Sequence, residues 1–350
     1  MKIICDIGHP AHVNFFKSSL KVLSENGNVV TIISTDRGML REIIDRELGD
    51  YEIHVMGKHR GSILSIVFEA NIAKFLKLLL FLLRSKFDIG ISVGSFALGL
   101  ASKILGRPNL QFDDDPERKL NVFLEKLTSS ELFFPPIIEA HSKVSTFNAL
   151  KEWAYLSPGY FSPEADKLRE YDVCPYQYFF VREISPRSLN YSRQYPGIIS
   201  SFACELPSSY KVMLSLEDKN IAAKYPSDWI LLEEPLHDIH SLMYYSRVVI
   251  SSGDSVAREG ALLGVPSIYC GQRKMEANQM LCRKGMLFVR EPRDVRVCIN
   301  EIIARKIRVD AQDEFRHELM NEWEDVTAFI IKAIKRYAKK NQSGNFHNTP

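Results

Sequence analysis

Short apolar, β-branched runs alternate with longer amphipathic segments along the whole chain, the pattern of βα units built on a parallel sheet. In the first half the runs are Ile3–Ile7, Val29–Ser34, Glu52–Val55, Ile89–Val93, Asn109–Phe112 and Leu132–Phe134. In the second half they are Gln177–Val181, Tyr210–Leu214, Trp229–Leu232, Val248–Ser251, Pro266–Cys270 and Leu287–Val289. Helical periodicity fills the intervals, and no internal repeat is visible. The pattern predicts an α/β protein with two Rossmann-like parallel sheets. The turn-rich stretch Ser157-Pro158-Gly159-Tyr160-Phe161-Ser162-Pro163 reads as a linker. It divides the chain into an N-terminal domain (1–160) and a C-terminal domain (161–340), and the polar, aperiodic end (341–350) is expected to be disordered. Two such domains imply a cleft faced by the carboxyl ends of the strands, so chemistry is sought at strand-to-helix turns.

Composition narrows the class. With 350 residues, 45% hydrophobic and 25% charged, the chain is an ordinary globular sequence, neither disordered nor fibrous. A net charge of +2 gives no global field for nucleic acid, and no nucleic-acid partner is expected. Six scattered cysteines form no C-x-x-C pair and no metal spacing with histidine, as expected of reduced thiols in a cytoplasmic protein. Asp6 interrupts the N-terminal apolar run too early for a signal peptide. Lys74 and Lys77 interrupt the most apolar stretch, Ile72–Leu83, so it cannot span a bilayer. The helix Ile66–Leu83, with Lys74, Lys77, Arg84 and Lys86 at its margins, is either a core helix with solvated lysines or a peripheral dock on the inner face of a membrane.

Four segments carry candidate chemistry. His9 and His12 lie in the first strand-to-helix turn, Gly8-His9-Pro10-Ala11-His12. An imidazole near neutrality can take a proton from an attacking hydroxyl; the alternative is a histidine that caps the helix or packs beneath it. The turn Ser252-Gly253-Asp254-Ser255 opens a helix whose first amides suit a pyrophosphate, and Glu259, one turn inside, could accept hydrogen bonds from ribose hydroxyls. An ordinary crossover with a serine cap and a surface glutamate is the alternative. Asp254 would repel phosphate there unless it points away. The run Asp113-Asp114-Asp115-Pro116-Glu117 admits a Mg²⁺-diphosphate site, a general base, or a helix that starts at Pro116; the helix start is favoured. Asp113 and Glu117 remain candidates for substrate contact or base, and no metal or other cofactor is expected. Arg182 could grip a phosphate through its bidentate fork or pair with a neighbouring acid.

Larger motifs add to this reading. Gly8 to Phe16, Lys151 to Leu156 with Tyr160 to Pro163, and Met243 to Pro266 resemble the glycosyltransferase-B superfamily, most closely a prokaryotic domain-of-unknown-function family of that fold. His12-Val13 is similar to the Gly-Gly-His-Val turn of the lipid-II-forming N-acetylglucosaminyltransferase family. Glu259 to Pro266 has that family's Glu-to-Gly-x-Pro spacing, in which the glutamate holds the nucleotide ribose, and Gln272, Asn278 and Gln279 look like its polar stretch. The resemblance implies transfer of a sugar from a nucleotide sugar, UDP-linked, to a cell-surface glycan or lipid-linked acceptor. Donor would bind on the C-terminal domain and acceptor on the N-terminal one. Glu234-Pro235-Leu236 and Asp115 to Lys119 are also similar to the non-hydrolysing UDP-N-acetylglucosamine 2-epimerase family. Two departures count against epimerisation: Gly94-Ser95 stands where that family carries a catalytic aspartate, and Phe180 to Glu183 where it carries a histidine followed by arginines. A third alternative is a nucleotide-sugar-binding protein without catalysis.

Overall fold

The apolar runs of the first half assemble into one parallel sheet: β1 (Lys2–Ile7), β2 (Val29–Asp36), β3 (Glu52–Lys58), β4 (Ile89–Val93), β5 (Asn109–Phe112), β6 (Glu131–Phe134) and β7 (Val144–Thr146). Those of the second half form another: β8 (Tyr178–Glu183), β9 (Lys211–Leu216), β10 (Ile230–Leu231), β11 (Val248–Ser251), β12 (Ser267–Tyr269) and β13 (Leu287–Val289). The structure, a computed structural model, describes residues 1–58, 73–186, 191, 194–304 and 309–342. The spatial orders are β3-β2-β1-β4-β5-β6-β7 and β10-β9-β8-β11-β12-β13, so each sheet reverses direction beside its first strand. Ligands of open parallel sheets bind beyond the carboxyl ends of strands at such a reversal. Those ends are β1 and β4 in the first sheet, β8 and β11 in the second. β7 escaped the sequence reading because three residues, Val-Ser-Thr, are too few to show a pattern.

Helices cover the first sheet on both faces, which is why its central strands are apolar throughout. They include α1 (Pro10–Glu25), α2 (Leu40–Leu48), α3 (Lys74–Arg84), α4 (Phe96–Ile104) and α5 (Lys119–Thr128). On one face, Leu78 and Leu82 of α3 pack with Ala97, Leu98 and Ala101 of α4 over Ile4 and Ile33. In the second sheet Phe179, Val181, Leu214, Val248, Ile250 and Ile268 pack with Val295 and Ile299 of the helix Val295–Ala304.

The chain forms two compact units: Met1–Tyr155 with the chain from Trp323 onward, and Leu156–Glu322. The C-terminal domain expected to run to residue 340 therefore ends earlier. Aromatic contacts explain the return of the chain's end: in the last helix, Val326–Gln342, Phe329 meets Phe133 at 5.3 Å and Phe147 at 5.5 Å, and Trp323, just before it, meets Trp153 at 5.7 Å. Thr327 also donates to the Ala154 carbonyl at 3.0 Å. Of the tail expected to be disordered, Asn341 and Gln342 are the helix's last residues, and 343–350 lie outside the described residues, as do 66–72 of the apolar stretch.

Candidate functional site

In the second unit β11 ends at Ser251, and the chain turns through Ser252 and Gly253 into the helix Asp254–Leu262. A Cβ at Gly253 would come 2.6 Å from Ile184 Cγ2, so only glycine lets the turn lie this close to the end of β8. Ser252 is fully buried; its hydroxyl donates to Glu183 Oε1 at 2.7 Å and accepts from the Ile184 amide at 3.0 Å. Glu183 also accepts from the Ile199 amide and the Tyr225 hydroxyl, and burial pushes its carboxyl up. The Ser252 side chain thus holds the turn and is not offered to a ligand. The helix has no side-chain cap, and its first internal bond runs from the Ala257 amide to the Gly253 carbonyl at 3.3 Å. The amides of Asp254, Ser255 and Val256 precede that bond at the positive end of the helix dipole. Ser255 is half-buried there. Glu259, 7% exposed, faces His240 Nε2 at 3.5 Å.

The surroundings of Asp254 and of the expected ligands Gln272, Asn278, Gln279 and Arg182 differ. Asp254 turns into the core: its carboxylate accepts from Arg258 at 3.1 Å, from the Tyr191 hydroxyl, and lies 3.6 Å from Arg273. Asn278, 2% exposed, accepts from Arg258 at 3.1 Å and is part of the same network. Gln279 is exposed on the helix Glu276–Arg283. Gln272 is also exposed, and its amide donates to Gln194 Oε1 at 3.1 Å. Its loop lies against the Ser252 turn because Gly271 has no Cβ; one would come 2.3 Å from the Ser252 carbonyl oxygen. Arg182 departs from the phosphate reading. Its guanidinium donates to Glu234 and Ser215 and meets Glu217 at 3.3 Å, so two carboxylates already neutralise it.

In the first unit the carboxyl ends of β1 and β5 carry a charged cluster. Exposed His9 is the N-cap of α1, its Nδ1 accepting from the Ala11 amide at 3.2 Å. His12 Nδ1 accepts from the Gly8 amide at 3.4 Å, which places the proton of the neutral ring on Nε2. Burial and the nearby His9 hold the His12 ring well below the ordinary histidine pKa, with Lys151 and Arg37 adding to the effect and Asp114 opposing it. Lys151 Nζ pairs with Asp114 Oδ1 at 2.7 Å. Beneath them Asp113 accepts from the Asp114 and Asp115 amides at 2.7 and 3.2 Å. It also accepts from Glu125, whose carboxyl is pushed up to about 10 by burial and by Asp113 itself. Burial pushes the Asp113 carboxyl up as well, while its bonds from Glu125 and the Asp114 amide favour its charged form over that of Glu125.

The acidic run is therefore not the start of a solvated helix. α5 begins at Lys119, not Pro116; Asp113, Asp114 and Asp115 are each 8% exposed or less; and Glu117 lies exposed on the turn between. Among the described residues no group of three or more histidines, cysteines or acids could hold a metal ion. Sequence reasoning also missed Asp6 at the end of β1, which pairs with buried Lys74 at 2.6 Å and accepts from Ser95 at 2.5 Å. Glu125 and His240 were missed because each is a lone ionisable residue in a helical pattern, made notable only by a distant partner; Lys74, expected among solvated lysines, is instead buried against Asp6.

Residues 212–339 match the family described as "Protein of unknown function (DUF354)". A comparison with curated proteins gives no match. Among solved structures, UDP-GlcNAc 2-epimerase from Neisseria meningitidis bound to UDP-GlcNAc superposes with a TM-score of 0.69 at 14% identity, over 96% of this chain and 100% of that one. Glycosyltransferase VinC in complex with DTDP gives 0.66 at 13% identity, over 97% and 100%. MurG from Acinetobacter baumannii gives 0.58 at 14% identity, over 96% and 100%. These likenesses show the fold, two parallel sheets of the glycosyltransferase-B kind, as the sequence pattern leads one to expect.

Proposed function

We propose that the chain is a glycosyltransferase that moves a sugar from a nucleotide sugar, UDP-linked, to a glycan or lipid-linked acceptor, without a metal ion. The observation that carries this reading is the uncapped helix start at Asp254, beyond the end of β11, with the buried carboxylate of Glu259 one turn deeper on the same helix. A diphosphate would accept from the amides of Ser255 and Val256, and ribose hydroxyls would donate to Glu259 beside His240. Exposed Gln272 and Gln279 would supply further polar contacts to the donor. The first unit would bind acceptor, with His12 in the first turn of α1, beyond the end of β1, taking the proton of the attacking hydroxyl. Support for transfer over epimerisation comes from Ser95, whose hydroxyl caps α4 and donates to Asp6 where an epimerase needs an acid or base.

Removing the Glu259 carboxylate leaves two ribose hydroxyls without acceptors in a buried place. Glu259→Ala is expected to weaken UDP binding by about 1–3 kcal/mol with little loss of fold stability, read by calorimetric titration. Unchanged affinity in the folded variant refutes the assignment.

A further inference from the structure

Three neighbouring helices of the first unit turn apolar residues outward. α3 packs on α4, and α4 on α5, along one face of the first sheet. α3 buries Lys74, Leu78 and Leu82, which leaves Leu76, Leu80 and Leu83 on the opposite side, about one helical turn apart. A surface helix ordinarily carries polar residues on that side. α5 repeats the inversion, burying Val122, Glu125 and Thr128 and exposing Leu120, Phe123 and Leu127. Ile104, at the end of the helix between them, is exposed as well. Each of these outward residues is at least 46% exposed. Isolated exposed apolar residues need no explanation; a set shared by three packed helices marks an interaction surface.

The charges around it select the partner. Lys77, Arg84, Lys86, Lys103, Arg107 and Lys119 are exposed, whereas across residues 73–128 the one exposed carboxylate is that of Glu117. Apolar stripes edged by unopposed cations complement a surface that is apolar within and negatively charged above. We propose that this face docks on an anionic lipid bilayer, with the leucines of α3 and Leu120 and Phe123 of α5 entering the boundary between headgroups and acyl chains. The sequence pointed to Ile66–Leu83 alone; residues 66–72 lie outside the described residues, and α5 supplies a second stripe that the sequence reading did not use. The surface stands independently of the reaction proposed above, and among the described residues no helix is long and apolar enough to cross a membrane.

Vesicle flotation of the full chain tests this. It is expected to float with phosphatidylcholine vesicles containing phosphatidylglycerol, less with phosphatidylcholine alone, and less as salt rises toward ~1 M. Leu80→Glu with Phe123→Glu should reduce the bound fraction at least about tenfold on both vesicle types and leave thermal unfolding unchanged, since both side chains are exposed. Lys77→Glu with Arg84→Glu should reduce it by about fivefold per charge removed, on the anionic vesicles only. Absence of flotation on anionic vesicles at low salt, or equal flotation of wild type and the Leu80/Phe123 variant, overturns the proposal. So does a dimer that this variant dissociates in a protein that ignores vesicles, which would make a second copy the occupant.

Discussion

His12→Ala is expected to lower kcat by about 10²- to 10⁴-fold while donor affinity and unfolding temperature stay close to wild type. The imidazole is held below the ordinary histidine pKa, so at neutral pH it is uncharged and able to accept a proton. Because the pKa is lowered, protonation and loss of rate should begin only below the usual value of about 6.5, as pH falls. The contact between Nδ1 and the Gly8 amide, 3.4 Å, is long, and exchanging it for a base lone pair costs about 1 kcal/mol. His12→Asn separates base from scaffold. Its side-chain oxygen can still accept from Gly8 but cannot act as the base, so it should be as slow as His12→Ala. Recovery of activity in His12→Asn would reduce His12 to a turn-holding residue. His9→Ala should be milder in rate, since removing its cap on α1 costs about 1 kcal/mol of stability.

Asp254→Ala is expected to destabilise the second unit by about 3–5 kcal/mol, one of the largest stability losses available to a single substitution. Arg258 is 1% exposed and donates to Asp254, Asn278 and the Met275 sulfur from one nitrogen. Without the carboxylate the buried guanidinium loses the charge partner 3.1 Å away, and the Tyr191 hydroxyl loses its acceptor too. Asp254→Asn keeps the shape and removes the charge, so it should fall between the two proteins. Urea denaturation reads the effect directly. A loss below about 1 kcal/mol in Asp254→Ala would mean that the network does not hold the helix start. The Asp254 carboxylate is engaged by Arg258 and Tyr191, so the cost of replacing it falls on the fold.

The strands were legible because parallel strands covered on both faces are short apolar runs, and four of them, Ile89–Val93, Asn109–Phe112, Val248–Ser251 and Leu287–Val289, begin and end where the pattern placed them. The return of the last helix was not legible, since amphipathic periodicity in Val326–Gln342 states that a face is buried and is silent on which core buries it. At the site, local chemistry was readable and long-range chemistry was not. Gly253 and the uncapped turn after β11 follow from a strand, a glycine and a helix in sequence. Arg182 stood open between a phosphate and a neighbouring acid because the acids that hold it, Glu217 and Glu234, are 35 and 52 residues away. The acidic run was read as a solvated helix start because its partners, Lys151 and Glu125, carry no sequence mark that joins them to it.

The central claim is that the second unit binds a nucleotide sugar and that the protein consumes it by transfer. The most direct measurement is a thermal-shift screen of UDP-, GDP-, CMP- and dTDP-sugars in EDTA, followed by mass spectrometry of the best ligand after incubation with and without candidate glycan and lipid-linked acceptors. A UDP-sugar is expected to raise the unfolding temperature with EDTA present, Glu259→Ala to reduce that shift at equal ligand concentration, and free UDP to accumulate only when acceptor is added. A sugar nucleotide converted to an isomer without acceptor, or no shift with any of the four classes, would contradict that claim.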